Sequence, residues 1–143
     1  MYTMRQKNIL LECRDISNGF TAHGQMELAM QICSGIVMEA TIGVVSMPTT
    51  QFGCTIIRSP DTDQTMLEWT ASSAGTIQIS GSVRKYDVAG GDGVSISIWK
   101  NNTLIWPTAG WRTISYNDSI GLSHDFAVDV NCGDVISFRV DEG

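Results

Sequence analysis

The sequence predicts an all-β protein, an antiparallel sandwich of about ten strands. Apolar and polar residues alternate with period two through most of the chain, the mark of strands with one buried face. Clusters of Gly, Asn and Asp recur between the alternating runs and supply the backbone freedom that tight turns need. A chain of 143 residues is also long enough to bury one sizeable core without metals or disulfides.

Taken in order, residues 1–7 form a mobile arm, and 8–143 form one domain. Residues 9–14 make a short strand. In 25–33, Met26, Leu28, Met30 and Ile32 alternate strictly, which favours a strand. Met, Glu, Leu, Ala and Gln are also good helix formers, so a helix over 22–33 is the alternative. Ser34-Gly35 closes a hairpin into 36–47, rich in Val, Ile and Thr, and Pro48 ends that strand. In 75–83 (GTIQISGSV), Ile77, Ile79 and Val83 share a face. The glycine-rich stretch 89–93 is a corner open to left-handed conformations. In 94–99, Val94, Ile96 and Ile98 alternate with Ser95, Ser97 and Trp99. Asn101-Asn102 turns the chain into 103–106, because Asn tolerates the positive φ of tight hairpins. In 122–130, Leu122, His124, Phe126, Val128 and Val130 face one way, and Ser123, Asp125 and Asp129 the other. Residues 131–134 turn the chain, and Ile136, Phe138 and Val140 form the last inward row.

Composition narrows the function. The net charge is −6, and only nine residues are Lys or Arg, with no basic run. Nucleic-acid binding and anionic membrane surfaces are disfavoured, since both need clustered cations. Charged residues make up only 17% of the chain, so Ser, Thr, Asn, Gln and Gly must cover much of the surface. The apolar run after the arm is Ile9-Leu10-Leu11, cut short by Glu12 and too brief for a signal-peptide core. No stretch is long and apolar enough to span a bilayer. The expectation is a protein made in the cytoplasm, with a virion or extracellular surface as a destination. Cys13, Cys33, Cys54 and Cys132 lack Cys-x-x-Cys spacing and sit apart from both histidines, so zinc ligation is poorly supported. Buried free thiols are the simplest reading, with one or two disulfides the alternative.

Several segments together resemble a known family. They are Glu68-Trp69-Thr70-Ala71, residues 74–83, residues 90–94, residues 98–104 with Trp106, Ser123-His124-Asp125, and residues 133–140 (GDVISFRV). In order and spacing, about residues 53–141 resemble jelly-roll β-sandwich domains of carbohydrate-binding-module type, found in secreted bacterial glycan-degrading enzymes and surface proteins. The resemblance implies a jelly-roll-like sandwich with a non-catalytic role, often glycan binding. Such domains usually continue into a further strand with a Trp-Asp-Pro element, which this chain lacks. That strand is then missing, supplied by the N-terminal half, or donated by another chain, and an unpaired edge is a template for association.

Sugar sites need aromatic platforms beside hydrogen-bonding groups. The candidates are Trp99, Trp106, Trp111, Tyr86 and Tyr116, with Asp87, Asp92, Asn101 and Asn102 as polar partners. Trp99 stands out because it falls on the Ser95/Ser97 face. Core or interface packing is the plainer role for each aromatic, and Trp69, in phase with Leu67, is expected in the core. No cofactor is required. Ca²⁺ is the one ion with candidate ligands, at Asp87 and Asp92 with Asp118, although Asp in such corners more often forms turns. His124-Asp125 invites a catalytic reading, but adjacent strand residues project to opposite faces. A satisfied, largely buried His124 is expected, and no nucleophile elbow, phosphate loop or metal cluster accompanies it. Asn101-Asn102-Thr103 and Asn117-Asp118-Ser119 match the N-glycosylation pattern, which chance explains without a secretory signal. Two functions follow. One is a non-catalytic module that recognises glycan through exposed aromatics. The other is a structural subunit, such as a virion decoration or fibre protein or a surface filament, that joins neighbouring subunits as a homo-oligomer.

Overall fold

The structure, a computed structural model, describes residues 10–15, 25–32, 36–46, 53–58, 64–85, 88–89 and 93–141. The predicted arm at 1–7, Tyr86, Asp87, Asp92 and Cys33 lie outside them. The described strands are β1 (Leu10–Asp15), β2 (Gln25–Ile32), β3 (Ile36–Ser46), β4 (Gly53–Arg58), β5 (Gln64–Thr70) and β6 (Gly75–Lys85). They continue as β7 (Val94–Lys100), β8 (Thr103–Trp106), β9 (Arg112–Ile114), β10 (Leu122–Val130) and β11 (Val135–Asp141). The protein is all-β. The alternative helix over 22–33 gives way to β2, because both of its edges are filled. Met26 faces Asp15 on one side and Ile42 on the other. Period-two alternation reveals neither β4, where Ile56 and Ile57 are adjacent, nor β9, whose three residues are too few to carry a pattern.

The strands form two antiparallel sheets, ordered β1-β2-β3-β6-β10 and β4-β5-β11-β7-β8, with β9 beside β8 on the outer edge of β7. Their inner rows share one core. Ile42, Ile77, Ile79 and Val83 of the first sheet cluster with Leu67, Trp69, Ile96 and Phe138 of the second. Trp69 is fully buried, as its phase with Leu67 predicts. Removing these side chains from water is the main source of stability, at about 1.5–3 kcal/mol for each large apolar residue.

Pairing settles which strands have neighbours. β6 is bounded by β3 and β10, and β11 by β5 and β7. The N-terminal half therefore fills the side of β6 away from β10. Among the described residues β10 pairs with β6 alone and forms one margin of the first sheet.

Two turns at one end are tied to each other. Asn101, at φ 52°, donates its backbone N–H to Val135 O at 2.7 Å. Its side-chain oxygen accepts from Val135 N at 3.0 Å, and its amide nitrogen donates to Asp134 at 3.1 Å. Gly133, at φ 89°, donates to Ala71 O at 2.8 Å, and Ala71 N returns a bond of 2.8 Å to Asp134 O. The hairpin of β7 and β8, the turn before β11 and the end of β5 are thus one hydrogen-bonded unit.

Candidate functional site

Of the candidate site residues, Trp99 and Trp106 lie on opposite faces of the second sheet. Trp99 stands half-buried on the outer face of the second sheet. Its indole N–H donates to Ser97 Oγ at 2.8 Å. The Arg139 guanidinium lies 4.6 Å from the ring centroid, within reach of a cation–π interaction. Arg139 falls between buried Phe138 and Val140, which is why it points outward. Beneath these two side chains Ser97 and Ser137 are buried, and Ser137 Oγ donates to Glu68 Oε1 at 3.0 Å. Arg139 Nε is buried without a hydrogen-bond partner.

Trp106 faces the other way, its ring centroid 5.5 Å from that of His124 across the core. Trp99 and Trp106 therefore cannot form one platform. Trp111 is half-buried between β8 and β9, Asn102 is exposed, and Tyr116 is 49% exposed in the loop before β10. Both ends of the Asn101 amide are occupied within the chain. Asp118 forms a turn, accepting from Ile120 N at 2.9 Å and Gly121 N at 3.0 Å. Among the described residues no three His, Cys, Asp or Glu side chains cluster as metal ligands, and no helix is long and apolar enough to cross a membrane. Cys132 departs from the buried-thiol expectation. It is an exposed free thiol on a turn, and its Sγ lies 3.2 Å from Ser72 O. Cys13 and Cys54 lie on β1 and β4.

The margin of β10, open among the described residues, gathers the least expected features. Its outward residues Ser123, Asp125, Ala127 and Asp129 are exposed. Its inward residues Leu122, Phe126 and Val128 are only half-buried, whereas their partners across the ladder, Val83, Ile79 and Ile77, are fully buried. The same row of the sheet is fully covered at β6 and only partly at β10, where His124 and Val130 are buried but Leu122, Phe126 and Val128 are not. Two carboxylates lean back toward β6: Asp129 accepts from Thr76 Oγ1 at 2.7 Å, and Asp125 accepts from the Gln78 amide. Lys100 Nζ donates to Asp129 O at 2.7 Å and pairs with Asp134 at 3.2 Å. The Asn131 N–H, then the Asn101 amide, hold the Asp134 carboxyl below the ordinary aspartate range.

Behind this margin sits His124, 4% exposed. Phe126 and Phe138 ring centroids lie 6.4 Å from its own. The expectation of a buried histidine holds; that of a satisfied one does not, because neither Nδ1 nor Nε2 has a hydrogen-bond partner. Burial disfavours the imidazolium and pushes the pKa down to about 4, against a smaller opposing pull from Asp125. His124 is thus neutral at pH 7. Asp125 is exposed on the opposite face and bonded to Gln78, so the two adjacent residues form no acid–base dyad. Compared with protein-family models, curated proteins and solved structures, the chain gives no match.

Arg139 over Trp99 and the half-covered β10 margin are the features that alternation alone misses. Alternation puts Arg139 and Trp99 on outward positions, but only the register of β7 against β11 brings them together.

Proposed function

We propose that this protein is a non-catalytic, jelly-roll-like β-sandwich that serves as a structural subunit, joining neighbouring subunits through the open edge of β10. The observation that carries this reading is the contrast between half-covered Phe126 and Val128 and their fully buried neighbours Ile79 and Ile77. An edge strand offers unpaired backbone N–H and C=O groups, and half-covered apolar side chains add a gain when a partner covers them. The low charged content of the chain, 17%, suits repeated protein contacts. A virion decoration, a fibre or another surface assembly fits this role. Sedimentation at rising concentration tests it: association is expected, and a strict monomer at high concentration would count against it.

A second reading, glycan recognition, is favoured by one observation. On the outer face of the second sheet, half-exposed Trp99 lies beside Arg139, whose Nε has no partner. Aromatic and guanidinium planes with Glu68 close by provide apolar and polar contacts of the kind a sugar needs. Trp106, turned toward His124, does not share this patch. Glycan titrations followed by tryptophan fluorescence should show a response that Trp99→Ala abolishes. Silence across many polysaccharides would remove this reading and leave the first untouched.

A further inference from the structure

We propose that the partner of the β10 edge is β10 of a second copy of this chain, paired antiparallel about a two-fold axis at Phe126. The proposal rests on the structural-subunit reading and adds the partner and the register.

The pattern of β10 is self-complementary. Phe126 is the central residue of the strand, so an axis there matches every residue of one copy with one of the other. Directly opposed residues in an antiparallel pair point to the same face. On the inner face, Phe126 would meet Phe126, His124 would meet Val128, and Leu122 would meet Val130. On the outer face, Asp125 would meet Ala127, and Ser123 would meet Asp129. No carboxylate opposes another, and each Asp129 gains a hydroxyl donor. Moving the axis by one residue destroys this. An axis at Asp125 sets Asp125 against Asp125, and one at Ala127 sets Asp125 against Asp129 twice. Like charges directly opposite are unfavourable.

The apolar surface agrees. Phe126, Val128 and Leu122 are the inward residues left half-exposed, and this register gathers them from both copies into one row. Trp106, half-buried on the edge of the facing sheet, lies at the same margin, its ring 5.5 Å from that of His124. The two first sheets would become one continuous sheet of ten strands, each copy supplying its five. Such an interface is isologous and closes at two copies.

Substitution at exposed Ser123 tests the register without disturbing the core. In the full chain, Ser123→Asp puts like charges at both symmetry-related Ser123–Asp129 sites, and Ser123→Lys puts opposite charges there. Dimer dissociation constants from sedimentation equilibrium should rise about 2- to 30-fold in the first variant and fall by a similar factor in the second. Mixing Ser123→Cys with Asp129→Cys protein under oxidation should give a crosslinked heterodimer absent from the parent. Ser123→Cys alone should not link to itself, since the two Ser123 sites would lie about 20 Å apart. A dimer that is insensitive to both charges and forms no 123–129 crosslink overturns this inference, while assembly through another surface stands. Growth beyond two copies overturns the closed two-fold pairing in the same way. A monomer at every concentration removes both this inference and the reading beneath it.

Discussion

Replacing His124 by Phe should change how stability depends on pH. In the folded protein the His124 pKa is pushed from 6.5 down to about 4, because its charge would be buried among Trp106, Phe126 and Phe138. The unfolded chain binds the proton more readily, so acid favours unfolding. His124 costs little stability above pH 6.5. The cost grows as pH falls through the window from about 6.5 to 4 and levels off below it. Linkage gives about 0.2 kcal/mol at pH 7, about 2 kcal/mol at pH 5 and a limit of roughly 3 kcal/mol in stronger acid. Urea unfolding of wild type and His124→Phe at pH 7 and pH 5, at one fixed protein concentration, isolates the difference, because every carboxylate titrates in both proteins. Between the two pH values wild type should lose about 2 kcal/mol more than the variant. The variant should be no less stable than wild type at pH 7, since Phe leaves no unpartnered ring nitrogens in the core. Equal losses in the two proteins would refute a buried, neutral His124.

Three further substitutions probe the turns that frame the sheets. At Gly121, φ is +75° and a Cβ would stand 2.0 Å from Val83 O, whereas at Gly110, φ +64°, nothing lies within 4 Å. Gly121→Ala should therefore destabilise by roughly 2 kcal/mol or more, through strain and a backbone clash, and Gly110→Ala by about 1 kcal/mol through strain alone; thermal unfolding that ranks them the other way would contradict this packing. Asp134→Ala removes the bonds from Asn131 N and the Asn101 amide and the contact with Lys100. A loss of stability is expected in chemical denaturation, and a smaller one below the pH at which the carboxylate takes up a proton.

Much of the architecture is legible in the sequence because period two is a local signal. Ile77, Ile79 and Val83 give the buried row of β6, and Ile136, Phe138 and Val140 that of β11. The Asn101 turn is legible too, since few residues other than Gly accept its φ. Residues 25–32 are ambiguous locally because Met, Leu, Ala and Glu suit a helix; pairing with β1 and β3 decides the matter. The site is less legible. Alternation finds Trp99 and Trp106 but cannot reveal that one stacks under Arg139 and the other packs on His124. It buries His124 correctly, yet whether a partner reaches Nδ1 or Nε2 depends on residues distant in sequence. That β10 ends its sheet among the described residues is a property of strand order, which no single strand records.

Hydrogen–deuterium exchange of wild type across a range of protein concentrations tests association through β10 most directly. Amides of residues 122–130 that face away from β6 should exchange quickly in dilute protein and gain protection as concentration rises, with little change in β6. Protection that grows with concentration on another surface, or β10 exchange that never changes, would contradict it.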